Sequence, residues 1–157
     1  MPVLEVMSEN PSGAMSTSTA GLHILVVDDE ALIRWSLLEA LTSGGHAVVE
    51  AGDGASAVQA VMAAVVPFDV MLLDFRLSDS NDLALLSRLR RLAPATRIIL
   101  MSAFGTAEIL QEAMSLGVYR VISKPFDMNE VAPLVRQCHA SRSLTSSARI
   151  FPRTPAH

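Results

Sequence analysis

The feature that most limits what this chain can become is a fivefold alternation between short apolar runs and longer stretches of helical period. The runs Leu22–Val27, Ala47–Glu50, Phe68–Leu73, Arg97–Met101 and Val118–Ile122 are rich in Val, Ile and Leu. Short, mostly apolar runs of this kind fit strands covered on both faces. The segments between them read as helices. Glu30–Ser43 sets Ile33, Leu37, Ala40 and Leu41 along one stripe and ends at Gly44–Gly45, a helix stop. Gly54–Ala64 halts before Pro67, and Asp82–Leu92 carries Leu85, Leu86 and Leu89 against Arg88, Arg90 and Arg91 before meeting Pro94. Thr106–Leu116 runs into Gly117, and Asp127–His139 begins on an acidic N-cap. Strands and helices in alternation predict βα units around a parallel sheet, an α/β fold with helices on both faces.

A chain of 157 residues with 50% apolar content has material for one core. That core is expected in a domain over residues 21–140. Residues 1–20 read as a disordered leader, with Met7 or Met15 as alternative starts. They hold Glu5 and Glu9 but no Lys or Arg, unlike a secretory signal. Residues 141–157 read as a disordered, mildly basic tail: after Glu130 no acidic residue appears, while Arg136, Arg142, Arg149 and Arg153 accumulate. The single cysteine, Cys138, excludes an internal disulfide and suits a reducing, cytoplasmic setting. No apolar run reaches the roughly 18 residues that span a bilayer, so no membrane partner is expected. A net charge of −4 argues against direct DNA binding.

Polar residues gather where strands end. Asp28–Asp29–Glu30 follow the first run, Asp74 closes the third, Ser102 follows the fourth and Lys124 the fifth. Parallel sheets bind ligands at the carboxyl ends of their strands. Carboxylates clustered there repel one another unless a cation neutralises them, and oxygen-only ligands suit Mg²⁺. With that cation in place a phosphate can be held by the metal, by Lys124 and by a hydroxyl, and Asp74 becomes a nucleophile for an acyl phosphate. Lys124 is the only lysine in a chain that otherwise uses Arg. A compact ammonium suits a crowded anionic pocket, whereas a guanidinium favours a forked fit. Asp28 and Asp29 also fit the start of a helix, and the two roles coexist. His23, His46, His139 and His157 lack ligand spacing, and Cys138 reads as a small core residue.

Four blocks, Ile24–Leu25–Val26–Val27–Asp28–Asp29–Glu30, Val70–Met71–Leu72–Leu73–Asp74, Ile99–Leu100–Met101–Ser102–Ala103 and Ser123–Lys124–Pro125–Phe126, together resemble the signature of CheY-like receiver domains of response regulators. They stand in the family's order and spacing over residues 22–139. The resemblance implies a three-layer, doubly wound (βα)5 fold of flavodoxin type with strand order 2-1-3-4-5. It implies that Asp29 and Asp74 contact Mg²⁺ directly and Asp28 through water, with the backbone carbonyl of Arg76 completing the shell. Asp74 would be phosphorylated by a sensor histidine kinase or phosphotransfer protein, Ser102 would follow the phosphoryl group by hydrogen bond, and Lys124 would pair with it. Ile33–Arg34–Trp35 followed by Leu41 resembles receivers of NtrC-type regulators, which carry an ATPase and a DNA-binding module that the remaining residues cannot hold. A stand-alone receiver is therefore expected, acting on a downstream protein target by changing a binding surface.

Trp35 and Leu38 fall toward the outer side of the first helix, a candidate surface for a kinase or for a homodimer. Two positions depart from the family pattern. Val121 stands where an aromatic relay residue is usual, and Tyr119, two residues earlier and so expected on the same strand face, is its expected substitute. Ser78 stands where a proline is usual; with Asp79, Ser80, Asn81 and Asp82 after it, the loop is expected to be looser and its added acid to disfavour a phosphoryl dianion. Two other functions fit the same residues: a phosphorylation-independent interaction module, and an aspartyl-phosphate phosphatase, which would need a substrate pocket and a base that the sequence does not reveal.

Overall fold

The computed structural model of the chain describes residues 21–79, 83–103 and 106–150. Five strands, β1 (His23–Val27), β2 (Ala47–Ala51), β3 (Val70–Asp74), β4 (Arg97–Ser102) and β5 (Arg120–Ser123), form one parallel sheet in the order β2-β1-β3-β4-β5. Each strand is followed by a helix: α1 (Ala31–Ser43), α2 (Gly54–Ala63), α3 (Ala84–Leu92), α4 (Ala107–Ser115) and α5 (Val131–Ile150), the last preceded by a 3-10 turn at Met128–Glu130. The expected doubly wound (βα)5 fold and its strand order are observed.

Because side chains alternate across a strand, each central strand feeds two separate cores. Ile24, Val26, Val70, Leu72, Ile99 and Met101 face α1 and α5, where Leu37, Leu41, Val131, Val135 and Cys138 meet them. Leu25, Val27, Met71, Leu73, Ile98 and Leu100 face the other way, onto Ala57 and Val58 of α2, Leu86 and Leu89 of α3 and Ala113 of α4. Each fully buried aliphatic side chain contributes about 1.5–3 kcal/mol, so the paired layers fix the sheet and, with it, the positions of the strand ends. The α1 stripe read from the sequence is inside at Leu37 and Leu41 and half-buried at Ile33 and Ala40, and Cys138 is buried in the core.

Helix ends follow the local chemistry. Gly45, just past α1, takes φ +90, and Gly117, just past α4, takes φ +93, a left-handed conformation that costs glycine least. Asp127 accepts the Asn129 N–H and so caps the 3-10 turn rather than α5 itself. Two boundaries differ from the sequence reading. Helix α3 begins at Ala84, and Asp82, the expected start, lies outside the described residues. Helix α5 continues along the backbone to Ile150, past His139 and past the domain limit drawn at 140. No Pro or Gly follows Pro133 before Pro152, so nothing in the backbone chemistry stops that helix early. The leader 1–20 and residues 151–157 lie outside the described residues.

Candidate functional site

The carboxyl rim of the sheet brings the predicted polar residues together. Asp28 leaves β1, and its own N–H bonds the Ala51 carbonyl at 3.1 Å, so the ladder to β2 extends one residue beyond the strand. Asp74 closes β3, where the Phe75 N–H bonds Met101 O at 2.8 Å. Ser102 ends β4 and is buried; its carbonyl accepts the Lys124 N–H at 2.9 Å and so carries the pairing with β5 past Ser123. The Lys124–Pro125 peptide is cis.

Asp28, Asp29 and Asp74 each offer a carboxylate oxygen, all within 4.8 Å of one another. Asp28 and Asp74 are buried and Asp29 is exposed, so the cluster opens to solvent on one side. The Lys124 ammonium lies against this cluster, 2.9 Å from Asp28 Oδ2, 3.0 Å from Glu30 Oε1 and 3.2 Å from Asp74 Oδ2. Asp28 Oδ2 is fully enclosed and meets Lys124 as a charge contact rather than through an aligned hydrogen bond. The other oxygen, Oδ1, accepts the Glu30 N–H at 2.8 Å. Asp74 Oδ1 accepts the Arg76 N–H at 3.2 Å.

The charges explain the proton affinities. Burial and the neighbouring Asp28 push the Asp74 carboxyl up to about 6, while Lys124 and the Arg76 N–H pull it back. Burial works against the Lys124 ammonium, yet its close contacts with Asp28 and Glu30 and the charges of Asp28 and Asp74 outweigh that and hold its pKa above the ordinary value. One ammonium cannot neutralise the carboxylates that surround it. Oxygen-only donors, an enclosed Asp28 oxygen lacking a hydrogen-bond partner and an opening at Asp29 fit a small, hard divalent cation.

Two supporting residues had no assigned role in the sequence, and a third takes a role other than the one expected. Glu30, 59% exposed at its side chain, shares the Lys124 ammonium with the two buried aspartates. Arg34 of α1 donates to the Asp28 carbonyl at 2.7 Å and to Glu50 Oε1 at 2.9 Å, joining the β1–α1 loop to the end of β2. Of the loop acid expected near the pocket, Asp82 lies outside the described residues with Ser80 and Asn81, while the Asp79 carboxylate accepts the Gly54 N–H at 2.8 Å and the Ala55 N–H at 3.1 Å at the start of α2. Positive ends of helices stabilise such charges.

The remaining predicted residues lie apart from the pocket. Trp35 is 57% exposed on α1 and Leu38 is half-buried, while Leu32, one turn before Trp35, is 74% exposed and extends the apolar face. Val121 packs into the core facing α2, α3 and α4, whereas Tyr119 packs into the core facing α1 and α5. The expectation that Tyr119 shares a face with Val121 is therefore corrected. Strand β5 begins at Arg120, so Tyr119 precedes it and period-two alternation does not govern its side chain. Its ring instead lies under two guanidinium groups, Arg97 at 5.8 Å and Arg120 at 5.5 Å.

An aspartate triad, a lone lysine and a hydroxyl at the carboxyl rim of a five-stranded parallel sheet place the chain in the class of doubly wound α/β domains with an acidic rim site, and comparison with known proteins gives the family. The response regulator receiver domain matches residues 24–136, and this chain belongs to that family. It is 31% identical over 114 residues to the sporulation initiation phosphotransferase F of Bacillus subtilis, a match covering 73% of this chain and 90% of that protein. Against the DNA-binding transcriptional regulator NtrC of Escherichia coli it is 33% identical over 114 residues, which is 73% of this chain but 24% of that protein. Among solved structures, a CheY-like receiver domain protein from Methanospirillum hungatei shares the fold with TM-score 0.74 at 21% identity, over 80% of this chain and 99% of that one. NtrX from Brucella abortus gives TM-score 0.73 at 28% identity, over 84% of this chain and 30% of that one. Receiver domains belong to two-component systems, where they work with histidine kinases or phosphotransfer partners and typically bind Mg²⁺ at an acidic pocket. Among the described residues no helix is long and apolar enough to cross a membrane.

Proposed function

We propose that this receiver is a cytoplasmic switch that takes a phosphoryl group on Asp74 from a histidine kinase or phosphotransfer protein and passes the signal on by protein contact. The observation that carries the reading is the convergence of Asp28, Asp29 and Asp74 within 4.8 Å, with Lys124 bridging two of them. The similarity to a Bacillus phosphotransferase over 90% of that protein's length supports phosphoryl handling by a receiver unit.

In this reading Asp28, Asp29 and Asp74, with the backbone carbonyl of Arg76, hold Mg²⁺, which when bound offsets their charge and that of the phosphoryl oxygens. The Asp74 carboxylate attacks phosphorus in line with the donor nitrogen; an O–P bond forms as the P–N bond breaks, and the imidazole leaves with the bonding pair. With a pKa of about 6 even before a cation is bound, Asp74 is mostly ionised at neutral pH. The Arg76 N–H keeps the Oδ1 lone pairs oriented at 3.2 Å. Lys124 gives up its contacts with Asp28 and Glu30 to pair with the new phosphoryl oxygens, and the Ser102 hydroxyl follows by hydrogen bond. Motion of those two residues at the ends of β4 and β5 biases a pre-existing equilibrium of the neighbouring surface. The exposed Leu32 and Trp35 face of α1, with Leu38 at its margin, is the proposed partner surface, including for a second copy of the chain.

The test is incubation with acetyl phosphate and Mg²⁺ followed by intact-mass measurement. The wild type should gain one phosphoryl group, labile at alkaline pH as acyl phosphates are, and Asp74→Ala should gain none. A wild type that never gains mass, or an Asp74→Ala variant that gains as much, overturns the reading.

A further inference from the structure

Four residues, Phe75, Arg76, Leu77 and Ser78, lie between the acceptor and Asp79, and the loop from Phe75 to Asp79 contains neither proline nor glycine. Nothing in its backbone chemistry presets a conformation. Its far end is nevertheless anchored, because both Asp79 carboxylate oxygens receive N–H groups from α2, at 2.8 Å from Gly54 and 3.1 Å from Ala55. The helix start is fully satisfied as a result: Asp53 accepts the Ser56 N–H with its side chain at 2.8 Å, and its carbonyl accepts the Ala57 N–H at 3.1 Å. Asp53 and Asp79 thus cap the same helix start through different N–H groups, and only Asp79 belongs to the loop that follows the acceptor.

Gly54 is fitted to this contact. A Cβ at that position would stand 3.1 Å from Asp79 Oδ1 and 3.1 Å from Leu85 Cδ2, so any larger residue pushes on the carboxylate or on α3. Between the anchor and the acceptor, Leu77 is buried and the Arg76 N–H reaches Asp74 Oδ1.

We propose that Asp79 is a positioning residue: by clamping the loop to the N-terminus of α2 it holds the Arg76 amide, and through it the Asp74 carboxylate, in the orientation that cation binding and phosphoryl transfer require. The proposal rests on Asp74 being the acceptor. It gives α2, which supplies no residue to the pocket, a share in setting the pocket's geometry.

The experiment compares Asp79→Ala with Asp53→Ala. Both remove a cap from α2 and both should lower the midpoint of thermal unfolding. Only Asp79→Ala should weaken Mg²⁺ binding, by roughly 10-fold, the range seen when a group that orients a metal ligand is lost. In the metal-free protein it should also speed hydrogen exchange at the Arg76 amide, by roughly fivefold, the factor expected for one lost cap. Asp79→Asn keeps one acceptor oxygen and should fall between, and Gly54→Ala should shift both readouts in the direction of Asp79→Ala. Asp53→Ala altering both readouts as much as Asp79→Ala, or Asp79→Ala leaving both at wild-type values, overturns the clamp. The exchange measurement needs neither metal nor phosphodonor. A wild type that fails to take up a phosphoryl group would therefore defeat the proposed function while exchange at Arg76 still decides the clamp.

Discussion

Strand β3 ends in Asp74 and strand β5 leads directly into Lys124, yet the two are built differently. Strand β3 lies between β1 and β4 and buries all five of its residues. Strand β5 is an edge strand paired only with β4; Arg120 and Ser123 are exposed and Val121 and Ile122 half-buried. Asp74 therefore stands on the part of the sheet that is most costly to disturb, and Lys124 on a part that opens at lower cost. The carboxylate is carried by the firmer strand and the ammonium by the one less costly to open, an asymmetry that the proposed phosphoryl switch would use.

The contrast can be broken most directly through packing. Leu72→Ala in β3 removes a side chain with no exposed surface and should cost about 2–5 kcal/mol in urea unfolding, whereas Val121→Ala in β5 should cost about 1 kcal/mol. Equal losses would mean the two strands are equally fixed. The next effect is electrostatic. In the metal-free folded protein Asp74 binds its proton up to about pH 6, against 3.8 when exposed, so between those values the folded state carries the extra proton. Its contribution to stability is thus greatest at or below pH 4 and falls as pH rises to 6, by on the order of 2–3 kcal/mol. His46, whose pKa burial lowers, works in the opposite sense, so the quantity to measure is the difference between wild type and Asp74→Asn in EDTA. That difference should grow from pH 4 to 6.5 and shrink when Mg²⁺ is added; a flat difference would show that Asp74 is not desolvated as its burial implies. The smallest effect concerns Lys124→Met, which leaves Asp28, Glu30 and Asp74 without their ammonium. Mg²⁺ should bind the variant more tightly, by roughly three- to tenfold in calorimetry, because a competing cation is gone. Weaker binding would assign Lys124 to organising the carboxylates before the metal arrives.

The sheet, its order and four charged residues of the rim were legible in the sequence, because strand ends are set by local patterning and the rim follows from topology. Asp28, Asp29, Asp74 and Lys124 meet where that logic puts them. What escaped depends on geometry at and beyond the strand ends. Tyr119 was assigned a face by alternation, but the strand begins one residue later and its side chain turns to the opposite core. Asp79 read as added negative charge near a phosphoryl group. Its contact with α2 joins residues 25 positions apart, which no local pattern encodes, and there its charge is met by two N–H groups. Glu30 was visible beside Asp29 but had no evident task until Lys124, 94 positions away, was seen to reach it.

The sparing use of lysine has a practical consequence. With one ε-amine in the whole sequence, held at 10% side-chain exposure among carboxylates, amine-directed reagents meet only that group and the chain's α-amine. The rate of Lys124 acylation, read by mass spectrometry, thus gauges how firmly the carboxylates hold that ammonium, and the protein carries its own label inside the pocket.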